Sequence, residues 1–193
     1  MSYLHLLKTR LRQFREDTSG TITVEAVLSI PLLFLMIAVT FEFYEIHRYT
    51  SARQKATYTV ADMISRENNG AITDIYMDNT LTLFDEMTRD GSDSQIRVSI
   101  VSFDDDANQY AISWSETRGN GPMSALSDQD VANAHSTLPI LGDGEEVIVV
   151  ESVSTYRPIF NVGFDSQIPI NTRTFTSIRF APKICYEGVF CGV

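Results

Sequence analysis

The chain has 193 residues, 44% of them apolar and 21% charged, a composition that excludes a long disordered polymer and a protein that is membrane throughout, and one modest folded domain is expected. Fifteen basic against twenty-five acidic residues leave a net charge of −10, which repels a phosphate backbone and speaks against nucleic-acid binding. Two cysteines and three histidines are too few for a four-ligand zinc site.

The charge is spread unevenly. Residues 1–20 hold Lys8, Arg10, Arg12 and Arg15 against Glu16 and Asp17, while the rest of the chain is strongly acidic. An uncharged apolar run follows over 26–41 (AVLSIPLLFLMIAVTF), interrupted only by Ser29, Pro31 and Thr40. With residues 21–24 added, a helix at about 1.5 Å per residue reaches the ~30 Å of a bilayer core. A basic flank before a span and an acidic remainder after it predict a cytoplasmic N-terminus, with everything beyond residue 42 outside. A buried core helix would leave the basic leader without a reason. A secretory signal would end in small residues, where this chain has Thr40, Phe41, Glu42, Phe43 and Tyr44. An uncleaved single-span anchor is the competing reading. It does not account for Glu25, which heads the apolar run with no Lys or Arg before Arg48. A carboxylate at mid-span costs about 2.5–3.5 kcal/mol, less where it can snorkel from the end of the span.

The stretch FREDTSGTITVEAVLSIPLLF resembles the processing site of the type IV prepilin class. That resemblance implies a prepilin peptidase cutting between Gly20 and Thr21, which leaves Glu25 at the fifth position of the mature chain. A glycine, lacking Cβ, lets a protease approach the backbone closely. The cut creates an α-ammonium on Thr21, and in an assembled fibre the glutamate of one subunit can compensate the ammonium of a neighbour. Within the class, Arg12, Phe14, Arg15, Glu16, Asp17, Gly20, Val24, Glu25 and Pro31, in that order, are most similar to the TadE/TadF-like pseudopilins of tight-adherence (Flp) pilus systems. The shaft-forming Flp pilins match less well, since they show Tyr where this chain has Ala26 and are much shorter. The motif covers residues 12–36.

Between Pro31 and Gly70 the chain holds no strong helix breaker, so one helix is expected over 24–68, about 68 Å long. Pro31 should kink it or open its hydrogen-bond ladder locally. Phe43, Ile46, Tyr49, Ala52, Ala56, Val60 and Met63 form a stripe at steps of three and four, read as packing against the chain's own globular domain, with Arg48, Arg53 and Lys55 on the other faces. Asn68, Asn69 and Gly70 are the stop signal. A second helix is predicted over 73–87, with Asp74 in its first turn and Asp90-Gly91 closing it. The period then changes to two: Ile96, Val98 and Ile100, then Tyr110, Ile112 and Trp114, read as an antiparallel hairpin. Residues 147–156 and 173–180 supply two more strands, and the long loop over 118–144 is expected to hold a helical turn near 128–135. The closing segments, a Val-Ile-Val-Val-Glu strand, Tyr156-Arg157-Pro158 and Arg179-Phe180-Ala181-Pro182-Lys183, are loosely similar to the TadE-like pattern.

Asp104, Asp106 and Asn108 have the spacing that opens a calcium loop, but Gln109 stands where the turn glycine belongs and Ser115 where the bidentate glutamate belongs; a solvated acidic turn is expected. His5, His47 and His135 form no metal pair, and no nucleotide-binding glycine loop is present. In an oxidising compartment Cys185 and Cys191 are expected to form a disulfide, worth about 2.4 kcal/mol for so short a loop. Tyr186, Val189 and Phe190 with Ile159, Phe160, Val162 and Phe164 form an apolar patch that core packing explains as well as docking does.

Together these expectations define an α+β protein: a long N-terminal transmembrane and amphipathic helix, then a small antiparallel sheet of about four strands with a second helix packed on it. Residues 1–20 are the basic leader, 21–41 the span, 42–70 the periplasmic extension of the helix and 71–193 a periplasmic domain. The implied function is structural, in pilus biogenesis and adhesion, with no catalytic site, cofactor, metal or small-molecule substrate. The implied partners are a prepilin peptidase, other pilin or pseudopilin subunits, the inner-membrane assembly platform and membrane lipid.

Overall fold

The computed structural model describes residues 2–16, 20–68, 70–89, 94–160, 163 and 165–189. Four helices and four strands follow in the order α1 (Ser2–Glu16), α2 (Thr21–Ser65), α3 (Asp74–Thr88), β1 (Gln95–Asp104), β2 (Gln109–Gly119), α4 (Asp128–Val131), β3 (Glu146–Tyr156) and β4 (Ile168–Ser177). The α+β arrangement with a long apolar N-terminal helix and a four-stranded antiparallel sheet is the one expected. By compactness the chain divides into Met1–Tyr44 and Glu45–Val193.

The first unit holds α1 and the apolar part of α2. The helix is continuous through Pro31, whose ring forfeits one ladder bond. This is the one helix of the described residues long and apolar enough to cross a membrane, and no part of its most apolar stretch is buried. Ile22, Val27, Leu28, Leu32, Phe34 and Met36 are all more than 60% exposed, a cost in water that a lipid environment removes.

In the second unit the strands run β2-β1-β3-β4, every pair antiparallel. Period-two alternation puts Ile96, Val98, Ile100, Trp114, Ile148 and Val150 on one face, where they close a core with Ala56, Val60, Ala61 and Ile64 of α2 and Met77 and Phe84 of α3. Alternation turns Val101 to the opposite face, and the register slip between Ile100 and Val101 leaves Ser113 of β2 without a partner on β1, so Ile112 and Tyr110, expected on one face with Trp114, join Val101 instead. There Val101, Tyr110, Val147 and Val149 pack with Val131 of α4 and with Leu126, Leu138 and Leu141. The long loop therefore serves as the second cover of the sheet.

Two expectations need correction. The buried face of α2 is Arg53, Ala56, Thr57, Val60, Ala61, Ile64 and Ser65, rotated from the predicted stripe; Phe43 is 58% exposed, and Arg53, assigned to an outer face, is fully buried. The last strand ends at Ser177, not Phe180, and begins at Ile168. Its alternation of threonines with polar residues buries Thr172 and Thr174, and hydroxyl-bearing residues carry no hydropathy signal.

At the end of α2 the ladder tightens, with Arg66 and Glu67 N–H donating to Met63 and Ile64 three residues back. α3 is capped by the Thr73 hydroxyl, which accepts from Tyr76 N–H at 3.2 Å. It closes on Arg89 in the left-handed conformation. Asp90 and Gly91, the predicted stop, lie outside the described residues.

Candidate functional site

The residues singled out in the motif gather at the head of α2. Gly20 precedes its first turn, and its carbonyl accepts from Val24 N–H at 3.2 Å. Among the described residues an added Cβ at Gly20 would meet nothing within 4 Å, and its φ lies outside the left-handed region. The folded chain therefore makes no demand for glycine at this position, so any demand comes from a molecule that approaches it. Thr21 opens the helix and Glu25 stands one turn further on, the i and i+4 positions of one helical face. No acidic residue occupies the first turn. Glu25 lies beyond it, where the favourable field of the helix N-terminus has faded, and the carboxylate is exposed among exposed apolar neighbours. Among the described residues it has no ion-pair partner. In a lipid surrounding that carboxylate is costly unless it reaches the interface or meets a counter-ion from outside the segment. Pro31 follows on the same helix.

The other predicted residues lie apart from this group. Cys185 is disulfide-bonded, and Cys191 lies outside the described residues, as do Val162, Phe164 and Phe190 of the predicted apolar patch. Cys185 is part of a strap: its carbonyl accepts from Ile72 N–H at 2.7 Å, the Ile72 carbonyl accepts from Glu187 N–H at 2.8 Å, and Trp114 Nε1 donates to Ile184 O at 2.7 Å. Tyr186 is thus core, while Ile159 and Phe160 are exposed. The acidic turn is solvated, with Ala107 N–H donating to Asp104 Oδ1 at 2.9 Å and Asp105 N–H to Asp143 Oδ1 at 3.1 Å. The His135 ring lies tilted against Tyr110, ring centroids 5.2 Å apart. Among the described residues no group of three or more His, Cys, Asp or Glu is placed to hold a metal.

Three polar clusters in the second unit escaped the sequence reading. Arg53 donates to the Ser154 and Ser94 hydroxyls and lies 4.0 Å from the Tyr49 ring centroid. Burial pulls its guanidinium down from the usual range, and burial raises the Asp85 carboxyl despite its bond with Ser94 and the field of Arg53. Beside it Thr57, Thr172 and Ser152 link hydroxyls at 2.7 Å. On the opposite face Glu151 accepts from Arg97 Nε and Arg173 Nε, each at 2.7 Å. Arg118 joins Asp74, Asp78, Glu116 and the Tyr186 hydroxyl. Arg97 between Ile96 and Val98, and Glu151 within an apolar strand, were the available signals: opposite charges on buried strands call for each other. The Glu151 and Arg118 clusters are closed by their ion pairs, while the Arg53 cluster leaves Asp85 Oδ1 buried without a hydrogen bond among the described residues.

An open groove of about 470 Å³ runs beside β4, lined by Pro139, Ile140, Leu141, Phe175 and Arg179, and Arg179 is held by Asp62 at 3.0 Å. A cavity of about 60 Å³ lies between α4 and the sheet, well below the few hundred Å³ of a small-molecule site. Comparison of the chain with protein-family models, curated proteins and solved structures finds no match.

Proposed function

We propose that the protein is a prepilin-like subunit of a tight-adherence pilus system, cut after Gly20 by a prepilin peptidase and acting in assembly. The observation that carries this reading is the exposed carboxylate of Glu25, five positions after a glycine that the fold itself does not need, on a bare apolar helix. A basic flank before the span supports a cytoplasmic N-terminus, with the α+β unit on the far side. The span lets the subunit leave the bilayer sideways into a helical bundle. There Glu25 sets register against the Thr21 ammonium of a neighbour, and burial in the bundle makes that pairing strong where exposure would leave it weak.

The test is coexpression of the full chain with a prepilin peptidase, followed by intact mass of membrane-extracted protein. A mature chain starting at Thr21 supports the reading. Because an alanine fits at position 20 without contact, Gly20→Ala should leave the fold intact and the longer species uncut. Glu25→Val should still be cut but fail to enter fibres. A chain retaining Met1 in the presence of active peptidase favours the second reading, an uncleaved single-span envelope protein whose folded unit binds another component of a membrane complex. That alternative rests on the same span and makes no use of Glu25.

A further inference from the structure

We propose that α1 is an interfacial helix, docking its apolar stripe on an anionic lipid surface at the foot of the span. The inference rests on the span of α2 and concerns the uncut chain, in which α1 and α2 are still joined. Leu7, Leu11 and Phe14 recur at steps of four and three, share one stripe of α1, and are 62%, 62% and 84% exposed. At about 100° per residue, Arg10 falls roughly 70° to one side of the stripe and Arg15 a similar angle to the other, with Lys8 next to it. Thr9 and Arg12 point away, and Arg12 Nε is paired there with Glu16 at 3.0 Å. The one acid of the helix is thus committed to the far face, and both borders of the apolar stripe are cationic.

That arrangement decides between occupants. A second copy of α1 laid on the stripe would set Lys8, Arg10 and Arg15 against their own counterparts, and like charges across a seam repel. An anionic bilayer offers hydrocarbon to the stripe and phosphate to its borders, with the long basic side chains reaching up from a buried stem. Glu16 and Gly20 are four Cα steps apart, at most ~14 Å of chain. Once α2 is inserted, α1 is therefore confined to the headgroup layer, and docking becomes intramolecular.

The experiment uses the purified, uncut, full-length chain in nanodiscs of phosphatidylcholine, or of phosphatidylcholine with phosphatidylglycerol, without peptidase. A nitroxide is attached at Leu7→Cys, Leu11→Cys or, on the polar face, Thr9→Cys, and its accessibility to oxygen and to a water-soluble nickel complex is read by electron spin resonance. The expected result is lipid-like accessibility at 7 and 11 and water-like accessibility at 9 in the anionic discs, lost on combining Lys8→Gln, Arg10→Gln and Arg15→Gln. At about fivefold per basic residue, the three substitutions lower the docked-to-undocked ratio about a hundredfold. Water-like accessibility at all three positions in anionic discs overturns the proposal. So does burial that ignores both lipid charge and the triple substitution, or spin–spin broadening between chains, which would identify a second copy as the occupant.

Discussion

Tyr186 shows how one side chain can hold a tail. Its ring packs on Trp114 at 5.2 Å between centroids, and its hydroxyl donates to Asp74 while accepting from Arg118 at 2.9 Å. Burial, and then the bond to Asp74, push its hydroxyl up to about 12, and burial with the nearby Glu67 does the same for Tyr76. For an acid whose folded value lies above its unfolded value, the stabilisation is complete below the unfolded value. It disappears as pH rises through the folded one, here a window from about 10 to about 12. The strap over 184–187 should therefore loosen in that window. In an absorbance titration at 295 nm, Tyr186→Phe and Tyr76→Phe should each remove one phenol from the step near pH 12 and leave the earlier signal unchanged. Loss of signal from the early part of the curve by either variant would contradict these assignments. Arg53 illustrates the complementary lesson. Its long stem can lie along the apolar residues of α2 while its head reaches hydroxyls on two other elements, so helical periodicity read by residue type alone assigns it to water.

Among the elements, the two sheet edges are treated differently. β2 is covered: the Asp128 carboxylate accepts from Ile112 N–H at 2.7 Å, Ala132 O accepts from Tyr110 N–H at 3.3 Å, and Ser115 Oγ accepts from Leu126 N–H at 2.9 Å. α4 thus acts as a cap over a strand edge, and its own start is fixed by Asp130, whose Oδ2 accepts from the Ser127 N–H and hydroxyl at 2.8 and 2.7 Å. Those bonds hold the Asp130 carboxyl below its usual range. At β4 the protection is chemical instead, with Pro169 near its start and charged Arg173 on it. Asp128→Ala should cost about 0.5–1.5 kcal/mol, the net worth of one solvent-exposed edge bond. It should also speed amide exchange at Ile112 and leave the β1–β3 amides protected, which hydrogen exchange followed by NMR reads residue by residue. The strands were legible because Ile, Val and aromatic residues alternate in β1 and β2 and run unbroken over 147–150 in β3, and α3 because Asp74 falls in its first turn and Asp90-Gly91 follow it. The burial of the loop was not legible, since Leu126, Val131, Leu138 and Leu141 are spaced without any period.

For the whole molecule, the candidate site rests on Gly20, Glu25 and Pro31 as a linear motif read without tertiary contacts, to which the structure adds the exposure of Glu25 and Pro31 on a bare apolar helix. The face of α1 escaped because its charge was counted and its period was not. The division at Tyr44 has a direct energetic consequence. Every apolar residue of the two buried cores lies at Ala56 or later, whereas the apolar stretch of the span buries nothing within the chain. The apolar part of α2 therefore adds nothing to the core, and the folded unit carries its own hydrophobic stabilisation. A fragment beginning at Glu45 should be water-soluble without detergent, show the circular dichroism of a mixed helix and sheet protein, and unfold in one cooperative transition. The full chain should need detergent or lipid to stay dispersed. If the fragment aggregates, or melts without cooperativity while the full chain in detergent does not, residues before Glu45 belong to the fold, and the separation of anchoring from folding fails. If it behaves as expected, Glu25→Val can be assigned cleanly: it lies outside the cooperative unit, so a loss of fibres cannot be a loss of folding.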